Sequence, residues 1–419
     1  ESIRSPPERR PKPSLRLPRV LLGRHATSPD ARRAVRRGGH APAFPRASRL
    51  PPSRPRPMGG ALSRRIDSLN LREETLSEDG EEMTIVVRPP RGAAWRLLQF
   101  LWGFALIHYI FYGLFVLLLA VAFRETLFAT YAARLGGAAA LALYLPSFLD
   151  GSEKRLGRPW DALRLHGVWR LSQGYFPATL RRTTKLDPKK KYVFGWHPHG
   201  ILILSRIHTY GGNWEALFPG VKFRVLGATP MFYVPGCREI CLWMGAVDAG
   251  RKTAERVLKS GLSVSVYPGG SREIFETDPK SRNTVAVLRR RKGFVRLAIK
   301  NGAELVPVFV FGEKKCYKRL NVPAKARDFL LKTLKIPLIV FWGRFGTWYP
   351  FKAKQTVVFG APIKTTFNEA VDEDDEKRAE RLEKHVDRLH ATYCDAVEQL
   401  FEKHKAFAGY GPEESLTVA

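Results

Sequence analysis

Cysteine is scarce in this chain, with four in 419 residues. No two have Cys-x-x-Cys spacing and there is no regular cysteine framework, which excludes a disulfide-stabilised secreted scaffold. The set suits a reducing compartment. Cys237 and Cys241, four positions apart, are interpreted as neighbours in the core rather than as ligands. The sequence also has no internal repeat.

Acidic residues are few compared with basic ones, 39 against 70, so the formal net charge is +31. Residues 1–57 contain 15 basic and 3 acidic residues, 12 of the 30 prolines and one aromatic residue, Phe44. A segment so poor in apolar side chains cannot offset the entropy lost on ordering. We therefore predict a disordered basic tail over residues 1–90, either an organelle-targeting segment, plastid targeting included, or a stretch absent from the mature protein.

The tail lacks the aromatic side chains on which bases stack, and it matches no nucleic-acid reader motif. Its arginines would attract phosphate, but nothing else in the segment would recognise a base. We therefore predict that the protein does not bind nucleic acid.

Formal charge is absent from Leu97–Phe123, a run of 27 residues. As a helix it would be about 40 Å long, more than the roughly 30 Å of a hydrocarbon core. A weaker apolar run, Leu127–Leu149, follows and contains Arg134 and Pro146. Basic residues flank both outer ends, and such residues favour the cytosolic side. The pattern predicts a transmembrane hairpin over residues 95–149 with both ends in the cytosol.

From residue 155 onward the pattern is that of an α/β domain, predicted to span residues 155–411. A helix is predicted over Arg251–Ser260, ended by Gly261, and alternation over Leu262–Tyr267 predicts a strand. A helix over Gly293–Asn301 then precedes a buried strand over Leu305–Phe311, so this strand–helix–strand order predicts a parallel pair with a right-handed crossover. Further strands and a solvated terminal helix are predicted over Ile336–Trp342, Thr356–Phe359 and Glu369–Lys405.

Two histidines lie in a tight turn between apolar, strand-like runs. The turn is His197-Pro198-His199-Gly200, and the flanking runs are Tyr192–Trp196 and Ile201–Leu204. Proline and glycine restrict the backbone around the two imidazoles, which suits a histidine acting as a general base. No third ligand with convincing spacing follows, so we predict no metal site.

A second turn, Tyr267-Pro268-Gly269-Gly270-Ser271-Arg272-Glu273, brings a carboxylate about seventy residues later. Together with three other motifs it makes the chain resemble the type 2 diacylglycerol acyltransferase family, from roughly Trp95 to Gly411. Those motifs are Tyr175-Phe176-Pro177, the histidine turn and the stretch from Arg291 to Ala298, which continues to Phe311-Gly312-Glu313. The resemblance implies an α/β fold like that of the glycerolipid acyltransferases, with a mixed sheet and flanking helices behind the hairpin.

The resemblance also implies a reaction, the transfer of a fatty acyl group from acyl-CoA to the free hydroxyl of diacylglycerol. In this reading His199 is the general base, Glu273 orients and charges it, and His197 supports the loop or the oxyanion. Backbone N–H groups of the turn glycines would hold the developing oxyanion, namely those of Gly200, Gly269 and Gly270. Acyl-CoA is a co-substrate, and no cofactor is expected.

Two further sets of residues have alternative roles. A basic cluster would meet either the phosphates of coenzyme A or anionic lipid headgroups, and consists of Arg289, Arg290, Arg291, Lys292 and Arg296. Tyr175, Phe176 and Pro177 would shape the lipid entrance or simply pack as aromatic core.

The acceptor has alternatives as well. The aspartate that related enzymes for phosphorylated acceptors carry five positions after their histidine is absent, since Leu202 and Leu204 stand at those positions. Tyr267–Arg272 partly resembles the second motif of those enzymes, so a lysophosphatidate-type acceptor is kept as a less favoured alternative. Monoacylglycerol and long-chain alcohols also remain, as does a non-catalytic scaffold on membranes or lipid droplets. The expected location is the endoplasmic reticulum membrane, with the site facing the cytosol, and lipid droplets are a further candidate.

Overall fold

The computed structural model describes residues 60–320, 339–368 and 374–419. Within these ranges helices and strands alternate along the chain. The helices are α1 Ala61–Asp67, α2 Ala93–Ala122, α3 Arg124–Leu127, α4 Tyr131–Leu149, α5 Asp161–Arg164, α6 Trp169–Tyr175, α7 Asn213–Leu217, α8 Cys237–Trp243, α9 Arg251–Lys259, α10 Ser271–Glu276, α11 Gly293–Asn301 and α12 Asp375–His404.

The strands form one large mixed sheet and two small ones. They are β1 Arg72–Leu76, β2 Met83–Val87, β3 Thr179–Arg182, β4 Tyr192–His197, β5 Phe223–Gly227, β6 Ala246–Asp248, β7 Ser263–Val266, β8 Asn283–Ala286, β9 Glu304–Phe311, β10 Lys318–Arg319, β11 Phe341–Trp342, β12 Thr356–Phe359 and β13 Ser415–Val418. The large sheet has nine strands in the order β1-β2-β3-β12-β9-β4-β7-β5-β6. Strands β9, β4, β7, β5 and β6 run parallel to one another.

The central strands are apolar because both of their faces are covered. Phe194 of β4 belongs to a core cluster with residues of α6, α7 and α8. Its neighbour Val193 belongs to a second cluster with α9, α11 and α12. Successive side chains of a strand point to opposite faces, so the sheet is sandwiched between two layers of helices. The mixed α/β fold with flanking helices predicted from the sequence is confirmed.

Most predicted elements of the domain are present. Helices α9 and α11 and strands β4, β7, β9 and β12 lie where the sequence pattern placed them, and of Ile336–Trp342 the described part contributes β11. The parallel direction of β7 and β9 is confirmed, but the two strands are not neighbours, because β4 lies between them and pairs with both.

The prediction of disorder was wrong for residues 61–87, while residues 1–59 lie outside the described part. This segment forms α1, β1 and β2, and β2 extends the large sheet by pairing antiparallel with β3. Ile85 and Val87 of β2 are fully buried, so the apolar alternation of Met83–Val87 gains enough burial to order the chain. The low-complexity composition that suggested disorder belongs to the residues before it.

Helix α12 is less solvated than its charged composition suggested. Every third or fourth residue on one face is buried, Val386, Leu389, Tyr393 and Val397 among them, which is the spacing of an amphipathic helix. This face closes the core cluster on one side of the sheet. The predicted terminal helix is present, but it is solvated on one face only.

Two apolar helices precede the domain. By length and composition, Tyr131–Lys154 could cross a membrane, and the pair Ala93–Tyr109 and Phe111–Ala122, bent by 68°, could form a second span if counted together. The described residues of α4 are all at least partly exposed, whereas Trp95, Leu98 and Trp102 of α2 pack against the domain core.

Candidate active site

The site forms where the carboxyl ends of β9, β4 and β7 meet, the edge at which parallel sheets present functional groups. Strand β4 ends at His197, and the His197–Pro198 peptide bond is cis. Strand β7 leads into the turn that opens α10, which carries Glu273. Strand β9 leads to Glu313. Three neighbouring strands therefore deliver two histidines and two carboxylates to one place.

The apolar run after the histidine turn is not a strand, although its composition resembles one. Ile203 adopts a φ of 54° and a short 3-10 helix spans Leu204–Thr209. The N–H groups of Leu204 and Ser205 donate to the Glu313 carboxylate, at 2.7 and 2.9 Å. These backbone N–H groups therefore bond to a buried carboxylate instead of to a neighbouring strand. Burial raises the pKa of Glu313 to about 7.

His199 is held in one tautomer by the backbone of the next residue, Gly200. Its Nδ1 lies 2.7 Å from the carbonyl oxygen of Gly200, which can only accept, so Nδ1 carries the proton. The other ring nitrogen, Nε2, then presents a lone pair. Desolvation lowers the pKa of His199, which favours the neutral, proton-accepting form of the ring.

Glu273 is buried and bridges the two histidines. One carboxylate oxygen, Oε2, accepts the backbone N–H of His199 at 2.5 Å. The other, Oε1, accepts the N–H of Val287 at 2.9 Å and lies 3.7 Å from Nδ1 of His197. The predicted partnership of Glu273 with His199 thus takes place through the backbone, and the imidazole closer to the carboxylate is that of His197.

His197 is fully buried and is held from the opposite side by Tyr393 of α12. The Tyr393 hydroxyl donates to the carbonyl of Gly195 at 3.1 Å and lies 3.0 Å from Nε2 of His197. Because the single hydroxyl proton is engaged by Gly195, His197 donates from Nε2. The other ring nitrogen, Nδ1, faces the Glu273 carboxylate, so His197 is held between two buried groups.

Two of the turn glycines allow a carboxylate side chain to lie close to the backbone. A side chain at Gly200, whose φ is 64°, would meet Cγ of Glu313 at 2.3 Å, and one at Gly269 would meet Cδ of Glu273 at 2.1 Å. Both positions need glycine so that a carboxylate can approach the backbone. The Gly270 N–H donates to the carbonyl of Tyr267, so it is engaged in the turn and does not point to an oxyanion site.

The basic cluster divides into two groups. Lys292 pairs with Asp387 at 2.6 Å, and Arg296 pairs with Glu383 at 2.5 Å, so both link α11 to α12. Arg289 and Arg290 are exposed, and the Arg289 side chain donates to the carbonyl of Val418. Arg291 is half-buried beside the carbonyl of Gly269. Arg291 therefore lies beside the turn that leads to Glu273, and Arg289 and Arg290 precede it on the exposed surface.

The aromatic motif at residues 175–177 is part of the core. Tyr175 and Phe176 are 7% and 3% exposed and share a cluster with Ile107 of α2 and Leu204. The Tyr175 hydroxyl donates to the carbonyl of Pro350 at 2.7 Å. These side chains join the first apolar helix to the loop that follows the histidine turn.

Sequence reasoning gave no role to two residues of the site, Tyr393 and Glu313. Tyr393 is detectable from the helical spacing of apolar residues in α12, which places it on the buried face. Glu313 ends the last of the sequence motifs, but its contact with the histidine loop depends on the pairing of β9 with β4. A cavity of about 20 Å³ between Glu273 and Glu313 has room for one water molecule.

No group of three or more His, Cys, Asp or Glu residues that could hold a metal ion occurs among residues 60–320, 339–368 and 374–419. The two histidines of the turn contribute to different contacts, one to Tyr393 and one to the Gly200 carbonyl. Because Nδ1 of His199 is engaged, the arrangement leaves Nε2 as the ring nitrogen that could accept a proton.

Comparison with known proteins defines the class of this site. The family model described as diacylglycerol acyltransferase matches residues 128–419, which include both histidines, both carboxylates and Tyr393. The protein is an acyl-CoA-dependent O-acyltransferase. More specifically, the chain belongs to the diacylglycerol acyltransferase family, as the resemblance of its motifs predicted.

Individual relatives agree with this assignment. The chain is 32% identical over 279 residues to 2-acylglycerol O-acyltransferase 3 of Homo sapiens, covering 62% of this chain and 78% of that protein. It is 30% identical over 275 residues to diacylglycerol O-acyltransferase 2 of Dictyostelium discoideum, covering 62% and 79%. It is also 30% identical over 267 residues to acyl-CoA wax alcohol acyltransferase 1 of Mus musculus, covering 62% and 80%. No solved structure matches the chain at a significant level.

Proposed function

We propose that the protein transfers a fatty acyl group from acyl-CoA to the free hydroxyl of diacylglycerol and so forms triacylglycerol. The observation that carries the proposal is the tautomer of His199, whose Nδ1 is engaged by the Gly200 carbonyl. Its Nε2 can therefore accept a proton from an alcohol, which is a poor nucleophile until it loses that proton.

In the proposed reaction the acceptor oxygen attacks the thioester carbonyl carbon while its proton passes to Nε2 of His199. The tetrahedral oxyanion forms beside the N–H groups of Gly200 and Gly269. The carbon–sulfur bond then breaks, and the thiolate of coenzyme A takes the proton from the imidazolium. Glu273 holds the His199 backbone, and arginines 289–291 meet the phosphates of coenzyme A.

Monoacylglycerol is the second candidate acceptor, because 2-acylglycerol O-acyltransferases are among the similar proteins. Membranes containing the protein should be supplied with labelled acyl-CoA and, separately, diacylglycerol, monoacylglycerol, a long-chain alcohol and a lysophospholipid. We expect the fastest transfer to diacylglycerol. Faster transfer to another acceptor would replace the substrate, and no transfer to any acceptor by the folded protein would overturn the function.

We also propose that α2 and α4 form the membrane hairpin, with the domain on the cytosolic face of the endoplasmic reticulum. The end of α4 supports this placement. Buried Arg238 contacts Asp150 and Glu153 at 2.7 and 2.8 Å, and such a charged cluster belongs in the aqueous interface rather than in the hydrocarbon. A long loop with an N-glycosylation acceptor, inserted after Glu125, should be glycosylated. An unmodified acceptor would indicate a re-entrant segment instead.

A further inference from the structure

The last described strand, β13, is not part of the large sheet. It pairs in parallel with β8, with Ser415 opposite Asn283 and Val418 opposite Ala286. The two strands form a small separate sheet beside the active site. The pairing provides the only strand partner seen for β8 in the described part of the chain, so the conformation of the segment after β8 depends on β13.

The contacts continue beyond the end of the strand. The Ala419 N–H donates to the carbonyl of Ala286 at 2.8 Å, and the Ala419 carbonyl accepts the N–H groups of Leu288 and Arg289, both at 2.8 Å. The Arg289 side chain donates to the carbonyl of Val418 at 2.9 Å. Residues 418–419 are therefore hydrogen-bonded to the chain on both sides of Val287.

The backbone N–H of Val287 is bonded to a side chain of the candidate active site. Its N–H donates to Oε1 of Glu273 at 2.9 Å, the same oxygen that lies 3.7 Å from Nδ1 of His197. The residue that bonds to the Glu273 carboxylate thus lies directly between Ala286 and Leu288, which are both bonded to Ala419. Peptide geometry is stiff, so fixing Ala286 and Leu288 fixes the direction of the intervening N–H.

Strand β13 is in turn anchored to the end of β9. Val418 is 5% exposed within the core cluster that contains α12. Glu414, just before the strand, lies 3.4 Å from Nζ of Lys314, which also donates to the carbonyl of Ser281 at 2.9 Å. The strand therefore has a defined position relative to the same edge of the sheet that carries Glu313.

We propose that residues 415–419 are positioning residues for the reaction, which act by strand addition on the 283–289 segment and so hold Glu273 in place. They touch no reacting atom. The inference rests on the proposed function of Glu273 and His199, and it assigns to the final strand a part in turnover rather than only in stability. A strand added to the edge of another strand supplies main-chain hydrogen bonds in this way.

A purely structural strand would behave differently. Its loss would lower the amount of folded protein and leave the turnover of the remaining molecules unchanged. Mispositioning of Glu273 instead lowers kcat in fully folded protein, with little change in the KM for acyl-CoA. The reason is that small displacements of catalytic groups mainly affect the chemical step.

The test uses two variants of the full chain in membranes, a deletion of residues 415–419 and Ala419→Pro. The proline removes one ladder N–H and leaves the rest of the strand intact, so it remains informative if the deletion does not fold. Glu413→Ala is the matched control, since this side chain is exposed and lies just before the strand, and the ladder is kept. We expect kcat per folded molecule to fall about tenfold or more in the deletion and severalfold in Ala419→Pro, with the control unchanged.

Two further measurements separate the explanations. In a Glu273→Gln background, adding Ala419→Pro should lower kcat by less than about twofold, because both changes act through one group. A peptide of residues 411–419 should restore part of the kcat of the deletion variant. Full kcat in folded Ala419→Pro, or additive losses with Glu273→Gln, would overturn the proposal. Inactivity of the unaltered protein toward every acceptor would instead overturn the proposed function.

Discussion

Oε1 of Glu273 lies 3.7 Å from Nδ1 of His197, while Oε2 of the same carboxylate accepts the backbone N–H of His199. One buried acid therefore touches both histidines of the turn but faces only one imidazole. The ring of His199 is directed by the Gly200 carbonyl instead. The two histidines differ in environment, because His197 is enclosed by Glu273 and Tyr393 whereas His199 is bonded through Nδ1 to the Gly200 carbonyl.

His199→Ala should abolish transfer. Without the imidazole nothing at this position takes the acceptor proton, and general-base catalysis contributes about 10²–10⁴-fold. The measurement is the initial rate of triacylglycerol formation in membranes that contain equal amounts of each protein. Full activity in His199→Ala would show that another group is the base.

Glu273→Gln should lower kcat more than it raises the KM for the acceptor. The amide keeps the size of the side chain but loses the charge that faces His197 and offers only one acceptor oxygen to two backbone donors. Glu276→Gln on the same helix is the control, since Glu276 is exposed. Equal kcat values for wild type and Glu273→Gln would make this carboxylate a structural residue only.

Tyr393→Phe should lower kcat severalfold and the free energy of unfolding by about 1 kcal/mol. The change removes the hydroxyl that accepts from His197 and donates to Gly195, and it leaves two buried polar groups without that partner. Thr392→Ala, next to it on the exposed side of α12, should leave both quantities unchanged. Denaturant unfolding and acyl transfer measured on the same preparations test this. A fall in stability alone would separate Tyr393 from turnover.

Glu313 should make folding less favourable as the pH rises. Burial raises the pKa of Glu313 from its usual 4.5 to about 7, so the folded protein binds this proton more tightly than the unfolded chain. The contribution is fully present below about pH 4.5, declines up to about pH 7, and amounts to on the order of 3 kcal/mol. Glu313→Gln should remove this part of the pH dependence of unfolding. An identical slope in that variant would contradict the assignment.

Arg290→Glu should raise the KM for acyl-CoA severalfold with little change in kcat, because this exposed arginine is proposed to meet the phosphates of the co-substrate. Arg296→Glu is the comparison, since Arg296 is paired with Glu383. Its effect should be on stability, by up to about 1 kcal/mol. A larger rise in KM for Arg296→Glu than for Arg290→Glu would place the phosphates on the other side of α11.

Much of the fold was predictable because its signals are local. The apolar run of β9 and the period of α11 identify their elements without knowledge of neighbours. Residues 61–87 were mispredicted because the order of β1 and β2 depends on pairing with β3, almost a hundred residues away. The run after Gly200 looked like a strand because its composition does not show that Glu313 would take the N–H groups of Leu204 and Ser205.

By itself the sequence determined the chemical groups, the family and the tight turn that carries two histidines, since these depend on residue types and short spacings. Only the tertiary structure decided which histidine each group meets. The side chains of Glu273, Tyr393 and Glu313 come from three distant segments and converge on the turn through the order of β9, β4 and β7. Burial then fixes their partners, because a polar group removed from water must bond to whatever the fold brings beside it.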